Sequence, residues 1–244
     1  MKKFLSLLIL LGLTACFKPS EEKYQYFNLY AFCEVADGAT LRLGITGDTF
    51  TVVEDQTDSK WMHQDIVFIF YDILDRKASD QYDIRIKTYQ PVTSRPALAK
   101  ETGGEAVYGS DAVSFYQDWG FDPAHHSFDM ACLYTSLKDS ETEHQINLVV
   151  DYERSSSDTL YLELRHQGHG ESFENEAYAA KDFQVNTAFL HFNLSHDFAA
   201  LGLTSGTAGK EMVFCLKWYW FPSENGVLIR EPGYSEAFAT VTLQ

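Results

Sequence analysis

The sequence predicts an all-β protein in two parts, a small OB-type barrel followed by an antiparallel β-sandwich. Three observations predict this class. The 244 residues include 14 Tyr and 18 Phe, which favour strands over helices. After residue 16, no long segment shows the apolar period of 3.6 residues that a capped helix requires. Short segments that alternate between polar and apolar residues recur instead, with turn residues between them.

The chain begins with features of a bacterial secretion signal. A dibasic start precedes the apolar run Phe4–Leu13, which is too short to cross a bilayer as a helix because a span needs about 20 residues. The run ends in Leu-Thr-Ala-Cys, a bacterial lipobox. We therefore expect a signal peptide over residues 1–15 and lipidation of Cys16, which attaches the protein to a membrane.

Residues 16–26 are mostly polar and predict a flexible lipidated tether. The residue after Cys16 is Phe17, not the aspartate that retains lipoproteins in the inner membrane of well-studied Gram-negative bacteria. The outer membrane is therefore the predicted location. Whether the periplasmic or the surface face carries the protein is left open.

Residues 27–93 predict the barrel. Tight turns are indicated by Asp37-Gly38 and Gly47-Asp48. Five short strands joined in this way fit an OB-type Greek-key barrel. The alternative is that they form the first sheet of one continuous sandwich. The predicted strands are Phe27–Val35, Thr40–Thr46, Thr49–Glu54, Gln64–Leu74 and Tyr82–Val92.

Residues 94–244 predict the sandwich domain. Residues 93–112 at its start are predicted to form a glycine-containing linker, and the long strands follow it. Six segments alternate for five or more residues with no helix between them, which favours an antiparallel arrangement. The tail from 224 to 236 looks irregular. The predicted strands are Phe128–Leu137, His144–Tyr152, Leu160–His166, Ala188–Leu194, Glu211–Trp220 and Phe238–Leu243.

Net charge limits the classes of partner. The formal charge at pH 7 is −16, and no basic run or RNA-binding aromatic motif appears, so nucleic acid is not an expected partner. The same charge opposes adhesion to anionic headgroups. We expect membrane contact through the N-terminal lipid alone.

Three cysteines remain if Cys16 is lipidated. A bridge between Cys132 and Cys215 is conceivable in an oxidising envelope, but cysteines buried in strands as small hydrophobes are more common. Nothing adjacent to either residue, or to Cys33, indicates an activated thiolate.

Histidines provide the only candidates for a metal site. His166 and His169 form a His-x-x-His pattern with nearby carboxylates, which are suitable zinc ligands. A further ligand from His144, His191 or His196 depends on the topology. Solvated loop histidines are the simpler interpretation. No hydrolase elbow, phosphate loop or zinc-protease motif appears, so neither catalysis nor a cofactor is expected.

Aromatic side chains in predicted loops suggest a binding surface. Trp61, Trp119 and Phe121 lie in loop sequences, where flat rings offer contact area to a sugar or to a protein at low entropic cost. These three residues are the predicted ligand contacts.

The order of these features resembles the NigD-like lipoproteins of Bacteroidetes. The resemblance includes the lipobox, the tether and the Asp-Gly turn, and three strand segments: His144–Val149, Tyr161–His166 and Phe192–Ser195. One departure is Asp37-Gly38-Ala39-Thr40, which stands where the family has Asp-Asp-Gly-Thr. The resemblance implies an N-terminal OB domain, a C-terminal β-sandwich and a place in the cell envelope.

Three functions follow as hypotheses. The first is a lipid-anchored module that binds a protein or glycan partner. The second is a metal-assisted hydrolase that uses His166 and His169. The third, implied only by the family name, is an accessory or immunity role beside a bacteriocin.

Overall fold

The computed structural model describes ten stretches of the chain: residues 25–44, 46–57, 63, 65–115, 119–171, 182–203, 208–220, 223–224, 227–228 and 233–243. The predicted signal peptide, the predicted lipidation site Cys16 and Trp61 lie outside these residues. Within them, no helix is long and apolar enough to cross a membrane.

The first part is a closed five-stranded barrel. Its strands run in the order β1-β2-β3-β5-β4, and β4 closes the ring by pairing antiparallel with β1. All neighbours are antiparallel except β3 and β5, which are parallel. The prediction of a small barrel is confirmed. The strands are β1 (Tyr26–Asp37), β2 (Thr40–Leu43), β3 (Thr49–Asp55), β4 (Ile66–Ala78) and β5 (Gln81–Val92).

Alternation along these strands fills the barrel. Every second residue points inward, and the interior side chains are almost fully buried, among them Leu41, Phe50 and Ile84. The Asp37-Gly38 turn joins β1 to β2, and the Asp37 carboxylate accepts a hydrogen bond of 2.9 Å from the Ala39 backbone N–H. The predicted turn chemistry is therefore present.

The second part is a sandwich of two five-stranded sheets. One sheet has the order β6-β13-β10-β8, with β9 also paired to β10, and the other has the order β17-β14-β12-β11-β7. The elements are β6 (Ser94–Pro96), β7 (Leu98–Ala99), α1 (Glu105–Tyr108), β8 (Ser114–Phe115), β9 (Gly120–Asp122), β10 (Ser127–Leu137), β11 (Gln145–Val150), β12 (Thr159–Gln167), β13 (Phe183–Asn193), α2 (Ser195–Ala200), β14 (Glu211–Trp220), β15 (Ser223–Glu224), β16 (Val227–Leu228) and β17 (Gly233–Thr242).

The sheets are mixed, which corrects the prediction of a purely antiparallel sandwich. Parallel pairs join β6 to β13, β7 to β11 and β12 to β14. The last pair is parallel because the chain leaves β12, forms β13 in the opposite sheet and returns as β14. Alternation identifies a strand but does not report the direction of its neighbour.

The predicted linker over 93–112 is also corrected. This segment supplies β6 to one sheet and β7 to the other, then forms α1, whose Tyr108 is buried. Its short strands contain proline and small residues, so they lack the alternation that identified the longer strands.

The three cysteines in the described chain are buried and free. Cys132 lies on β10 and Cys215 on β14, in different sheets. The conceivable bridge between them is therefore not formed, and both act as small hydrophobic side chains. Burial raises the pKa of the Cys132 thiol to about 12.

Aromatic rings join the barrel to the sandwich. Phe68 of β4 stacks on Phe189 of β13 with ring centroids 4.1 Å apart, and Phe32 of β1 lies 6.5 Å from the same ring. Phe32 and Phe68 are both buried. The outer wall of the barrel therefore rests on the outer face of the β13-β10 sheet.

Candidate functional site

Two buried polar side chains lie where the outer face of the β13-β10 sheet meets the barrel. Asp129 of β10 and His191 of β13 are direct neighbours across the two strands, and His191 Nδ1 lies 2.6 Å from Asp129 Oδ1. The two residues are only 5% and 8% exposed. Burial raises the pKa of Asp129, and the hydrogen bond from His191 opposes that rise. The pair is a buried carboxylate with an imidazole fixed against it.

A second polar cluster ties the barrel to the sandwich beside this pair. Arg42 of β2 points one guanidinium nitrogen at Glu34 of β1, 3.3 Å away, and at Asp122 of β9, 3.4 Å away. The same nitrogen contacts the ring of His125. Because Glu34 belongs to the barrel and Asp122 to the sandwich, Arg42 bridges the two parts electrostatically.

The turn after β9 holds Asp122 in place. Asp122 Oδ1 accepts a hydrogen bond of 2.8 Å from the Ala124 backbone N–H, and Asp122 Oδ2 lies 2.7 Å from His125 Nδ1. Gly44 of the barrel faces this carboxylate, and a Cβ at that position would come within 2.9 Å of Asp122 Oδ2. The missing side chain at residue 44 therefore permits the close approach of the turn.

These groups surround a cleft, which we call the junction cavity. Its volume is about 170 Å³. Glu34 and His125 keep 27% and 45% of their side chains exposed, so the cavity opens to solvent beside them. Its lining consists of Phe32, Cys33, Glu34, Gly44 and Ile66 from the barrel part and Asp122, His125, Ser127, Asp129, His191 and Asn193 from the sandwich.

Cys33 adds no nucleophile to the cavity. The residue is 1% exposed, and burial, followed by the nearby charge of Asp129, raises the pKa of its thiol far above the ordinary value. A reactive cysteine needs the thiolate form at neutral pH. Cys33 is therefore not an activated thiol in this cavity.

His166 lies in a different cluster, on the inner side of β12. Its Nε2 is 2.9 Å from His144 Nδ1, and its Nδ1 is 3.3 Å from the Ala112 carbonyl oxygen. Burial, followed by the charge of His144, lowers the pKa of His166 to about 4. His166 is therefore a neutral core residue at pH 7.

A carboxylate completes this cluster. Glu171 Oε2 lies 3.4 Å from His144 Nε2, and the other oxygen of Glu171 accepts hydrogen bonds from Ser140 and Thr142. When His166 donates to the Ala112 carbonyl oxygen through Nδ1, its Nε2 accepts a hydrogen bond from His144 Nδ1.

The predicted partner His169 does not join this cluster. It is exposed in the turn after β12, with a positive φ of 51°. The described part of the chain holds no group of three or more His, Cys, Asp or Glu arranged to bind a metal ion. The His-x-x-His pattern therefore places one histidine inside and one outside.

Two of the three aromatic residues predicted as ligand contacts, Phe121 and Trp119, pack against the sandwich core. Phe121 is 4% exposed and stacks on Phe198 and Phe214 in the sandwich core. Trp119 is partly buried against the same core, with its ring 5.3 Å from Phe128. The expectation of an exposed loop position is wrong for Phe121, which lies in β9 and is buried, whereas Trp119 precedes β9 and is partly exposed. Trp61 is not described.

Sequence reasoning missed most of the junction residues. Arg42, Asp122 and Asp129 were not predicted, and His191 was considered only as a possible metal ligand. One signal was available: Asp129 interrupts the apolar segment Phe128–Leu133 on β10. A charged residue within such a strand requires a partner.

Fold and site together define a barrel-plus-sandwich protein with a polar cavity at the junction of its two parts. Residues 96–193 match the family model of the NigD-like C-terminal beta sandwich domain. This portion of the chain is therefore a NigD-like domain, and the resemblance inferred from the sequence is confirmed.

Solved structures show the same fold across both parts. A NigD-like immunity protein from Bacteroides caccae is 19% identical, covers 86% of this chain and 91% of its own, and has a TM-score of 0.54. A candidate lipoprotein from Bacteroides fragilis is 14% identical, with coverages of 90% and 98% and a TM-score of 0.55. An uncharacterized protein from Parabacteroides merdae is 12% identical, with coverages of 88% and 99% and a TM-score of 0.57. No curated protein sequence matches the chain.

Proposed function

We propose that the protein is a lipid-anchored, non-enzymatic component of the bacterial cell envelope that binds a partner at the junction cavity. The observation that carries this proposal is the cavity itself, where buried polar side chains of the sandwich face apolar side chains and one carboxylate of the barrel. Concave sites with a few fixed polar groups are the usual form of ligand sites. The lipobox at Cys16 and the NigD-like domain support the location.

We further propose that the barrel is of the OB type and that the domains are residues 27–93 and 94–244. The strand order β1-β2-β3-β5-β4 supports the first part of this proposal, since OB barrels are small five-stranded Greek-key barrels. The outer membrane is the proposed location, because Phe17 follows Cys16.

A site-specific crosslinking experiment tests the binding proposal. A photoreactive residue replaces exposed His125 at the cavity mouth in cells, and a second variant carries it at exposed Asp80 in the turn between β4 and β5. We expect an adduct at position 125 that is absent at position 80 and weaker when Asp129→Asn is added. No adduct at position 125 would contradict the proposal.

Fractionation tests the anchor. Cys16→Ala should move the protein from the membrane to the soluble envelope fraction without changing its thermal unfolding, because the buried residues of the two described cores are drawn from residues 31–86 and 113–243. Retention of the variant on membranes after a high-salt wash would show that something other than the lipid holds it.

The immunity alternative rests on the name of one structural neighbour. Deletion of the gene should then raise sensitivity to a toxin encoded beside it, and unchanged sensitivity would exclude that role. The hydrolase alternative has no supporting observation, because His169 is exposed while His166 is buried.

A further inference from the structure

We propose that the junction cavity binds a single neutral sugar ring, an inference that rests on the proposed binding function and names its ligand class. The first argument is the contrast between the two walls. The barrel contributes the apolar Phe32, Cys33 and Ile66, with Glu34 at the mouth, while the sandwich contributes the polar Ser127, Asp129 and His191. A pyranose has the same asymmetry, with an apolar C–H face and hydroxyl groups around its edge.

The second argument is size. The cavity measures about 170 Å³, and an apolar cavity of about 150 Å³ is known to hold one benzene ring. A pyranose with its hydroxyl groups is larger than benzene, so one face or edge of a single sugar ring enters the cavity, and the rest of the sugar extends past Glu34 and His125 into solvent. The site recognises a terminal or single sugar residue.

The third argument concerns hydrogen-bonding capacity that the protein leaves unused. Among the described residues, no partner is found for Ser127 Oγ, Asp129 Oδ2 or His191 Nε2, although these residues are 3%, 5% and 8% exposed. Buried polar atoms without partners are rare in native proteins. All three residues line the cavity, so a bound ligand can satisfy them.

The chemistry of these atoms selects hydroxyl groups. Asp129 Oδ2 accepts, Ser127 Oγ both donates and accepts, and His191 Nε2 accepts when the ring is neutral. A hydroxyl group both donates and accepts, so it can match every one of these atoms. An ammonium group only donates, so it leaves the Ser127 hydroxyl hydrogen without an acceptor, and a phosphate dianion only accepts, so it offers no donor to Asp129 Oδ2 or His191 Nε2.

Charge excludes anionic ligands. Glu34, Asp122 and Asp129 line the cavity, and Arg42 beside them is already shared by Glu34 and Asp122. The chain as a whole carries a charge of −16. A sulfated sugar or a uronic acid would meet like charge at the buried carboxylate.

Saturation-transfer NMR on the purified full-length protein tests this proposal. The probes are the methyl glycosides of glucose, galactose and mannose, with methylammonium and inorganic phosphate as charged comparisons. We expect at least one glycoside to bind in the millimolar range. Asp129→Asn should weaken that binding about tenfold, since a hydrogen bond to a charged group is lost. The matched control is Glu101→Gln, which removes one charge from an exposed residue and should leave binding unchanged.

Ser127→Ala guards against misfolding of the Asp129 variant. It removes one oxygen atom that has no partner in the described chain, and it should weaken binding several-fold with unchanged thermal unfolding. Absence of glycoside binding would overturn the sugar assignment. Binding by both variants as strong as that of the wild type would overturn it too. Binding of methylammonium or phosphate in place of the glycosides would overturn it as well. An adduct at position 125 in the crosslinking experiment would then still support the proposed binding function.

Discussion

Individual buried charges in this protein are stabilised by specific partners. Lys100 places its Nζ 2.7 Å from both Asp151 and Glu163, which are 5% and 4% exposed. Burial raises the pKa of each carboxyl group, but the hydrogen bond from Lys100 and the nearby positive charges, Arg154 at Asp151 and Arg165 at Glu163, together hold both pKa values below their usual range. Arg165 contributes a second bond to Glu163, 2.6 Å long. These side chains act as one unit.

Removal of Lys100 should therefore be costly. We expect Lys100→Gln to lower the free energy of unfolding by about 2 kcal/mol, less than the 3–5 kcal/mol of a fully buried pair because Lys100 is one third exposed. Lys210→Gln is the matched control, since its partner Asp158 is 75% exposed. Urea denaturation at neutral pH measures both, and equal losses would contradict the prediction.

His166 should make stability depend on pH. Its folded pKa of about 4 lies below the ordinary histidine value of 6.5, so the unfolded chain binds the proton more tightly. Its contribution is complete above pH 6.5 and is lost as the pH falls towards 4. The loss reaches about 3 kcal/mol in full, of which about 2 kcal/mol appears by pH 5.

Urea denaturation at about pH 7.5 and about pH 5 checks this prediction. The wild type should lose about 2 kcal/mol more than His166→Gln between the two conditions, while His169→Gln, altered at an exposed histidine, should behave as the wild type. The same pH dependence in wild type and His166→Gln would exclude His166 as the cause.

Among the elements, the short helix α1 shows how the connector between barrel and sandwich is held. Ala106 and Tyr108 offer their carbonyl oxygens to Gln167 of β12 and Asn147 of β11, at 2.7 and 3.3 Å. The Tyr108 hydroxyl donates back to the Glu101 carbonyl oxygen. A helix of four residues has little stability of its own, so these contacts fix it.

Gly109 ends α1 at a position where only glycine fits. Its φ of 81° and ψ of 172° fall in a region essentially restricted to glycine, and a Cβ there would lie 2.1 Å from the His166 carbonyl oxygen. Gly109→Ala should cost about 3 kcal/mol or more, because strain and a backbone clash add. Gly103→Ala provides the matched control.

Gly103 also has a positive φ, 78°, but a Cβ there meets open space. We expect its substitution to cost about 1 to 2 kcal/mol from strain alone. Chemical denaturation of both variants measures the difference. Similar losses for the two variants would show that α1 shifts away from β12 without penalty.

For the whole molecule, the contact between barrel and sandwich decides whether the junction cavity exists. Apolar stacking of Phe68 on Phe189 lies at one place in this contact, and the bridge from Arg42 to Asp122 lies at another. The Asp122 carboxylate of the ion pair is buried, and Arg42 is partly exposed. Both the aromatic stack and the ion pair therefore stabilise the contact.

Phe189→Ala should uncouple the two parts. We expect a loss of about 2 to 3 kcal/mol, somewhat below that of a fully buried phenylalanine because Phe189 is only partly buried. Calorimetry should show two unfolding transitions, and small-angle scattering should show a larger radius of gyration. Val185→Ala, on the same strand but 64% exposed, should retain the wild-type values. A single unchanged transition in Phe189→Ala would show that other contacts hold the parts together.

The sequence by itself determined the class of the fold and most of the strands. The alternation in β10, β12 and β14 and the Asp37-Gly38 turn were sufficient, because these signals arise from neighbours in the chain. Local signals failed for the parallel pairs, for the short strands β6 and β7, and for Phe121, whose loop-like surroundings conceal a core position.

Only the tertiary structure decided where the candidate site lies. Asp129 and His191 are 62 residues apart in sequence, and Arg42 and Asp122 are 80 residues apart. Nothing local to any of these residues indicates its partner, since strand register and the docking of the barrel bring them together. The junction cavity exists because the barrel and the sandwich meet. That contact depends on packing between residues far apart in the sequence, which patterns among neighbouring residues do not indicate.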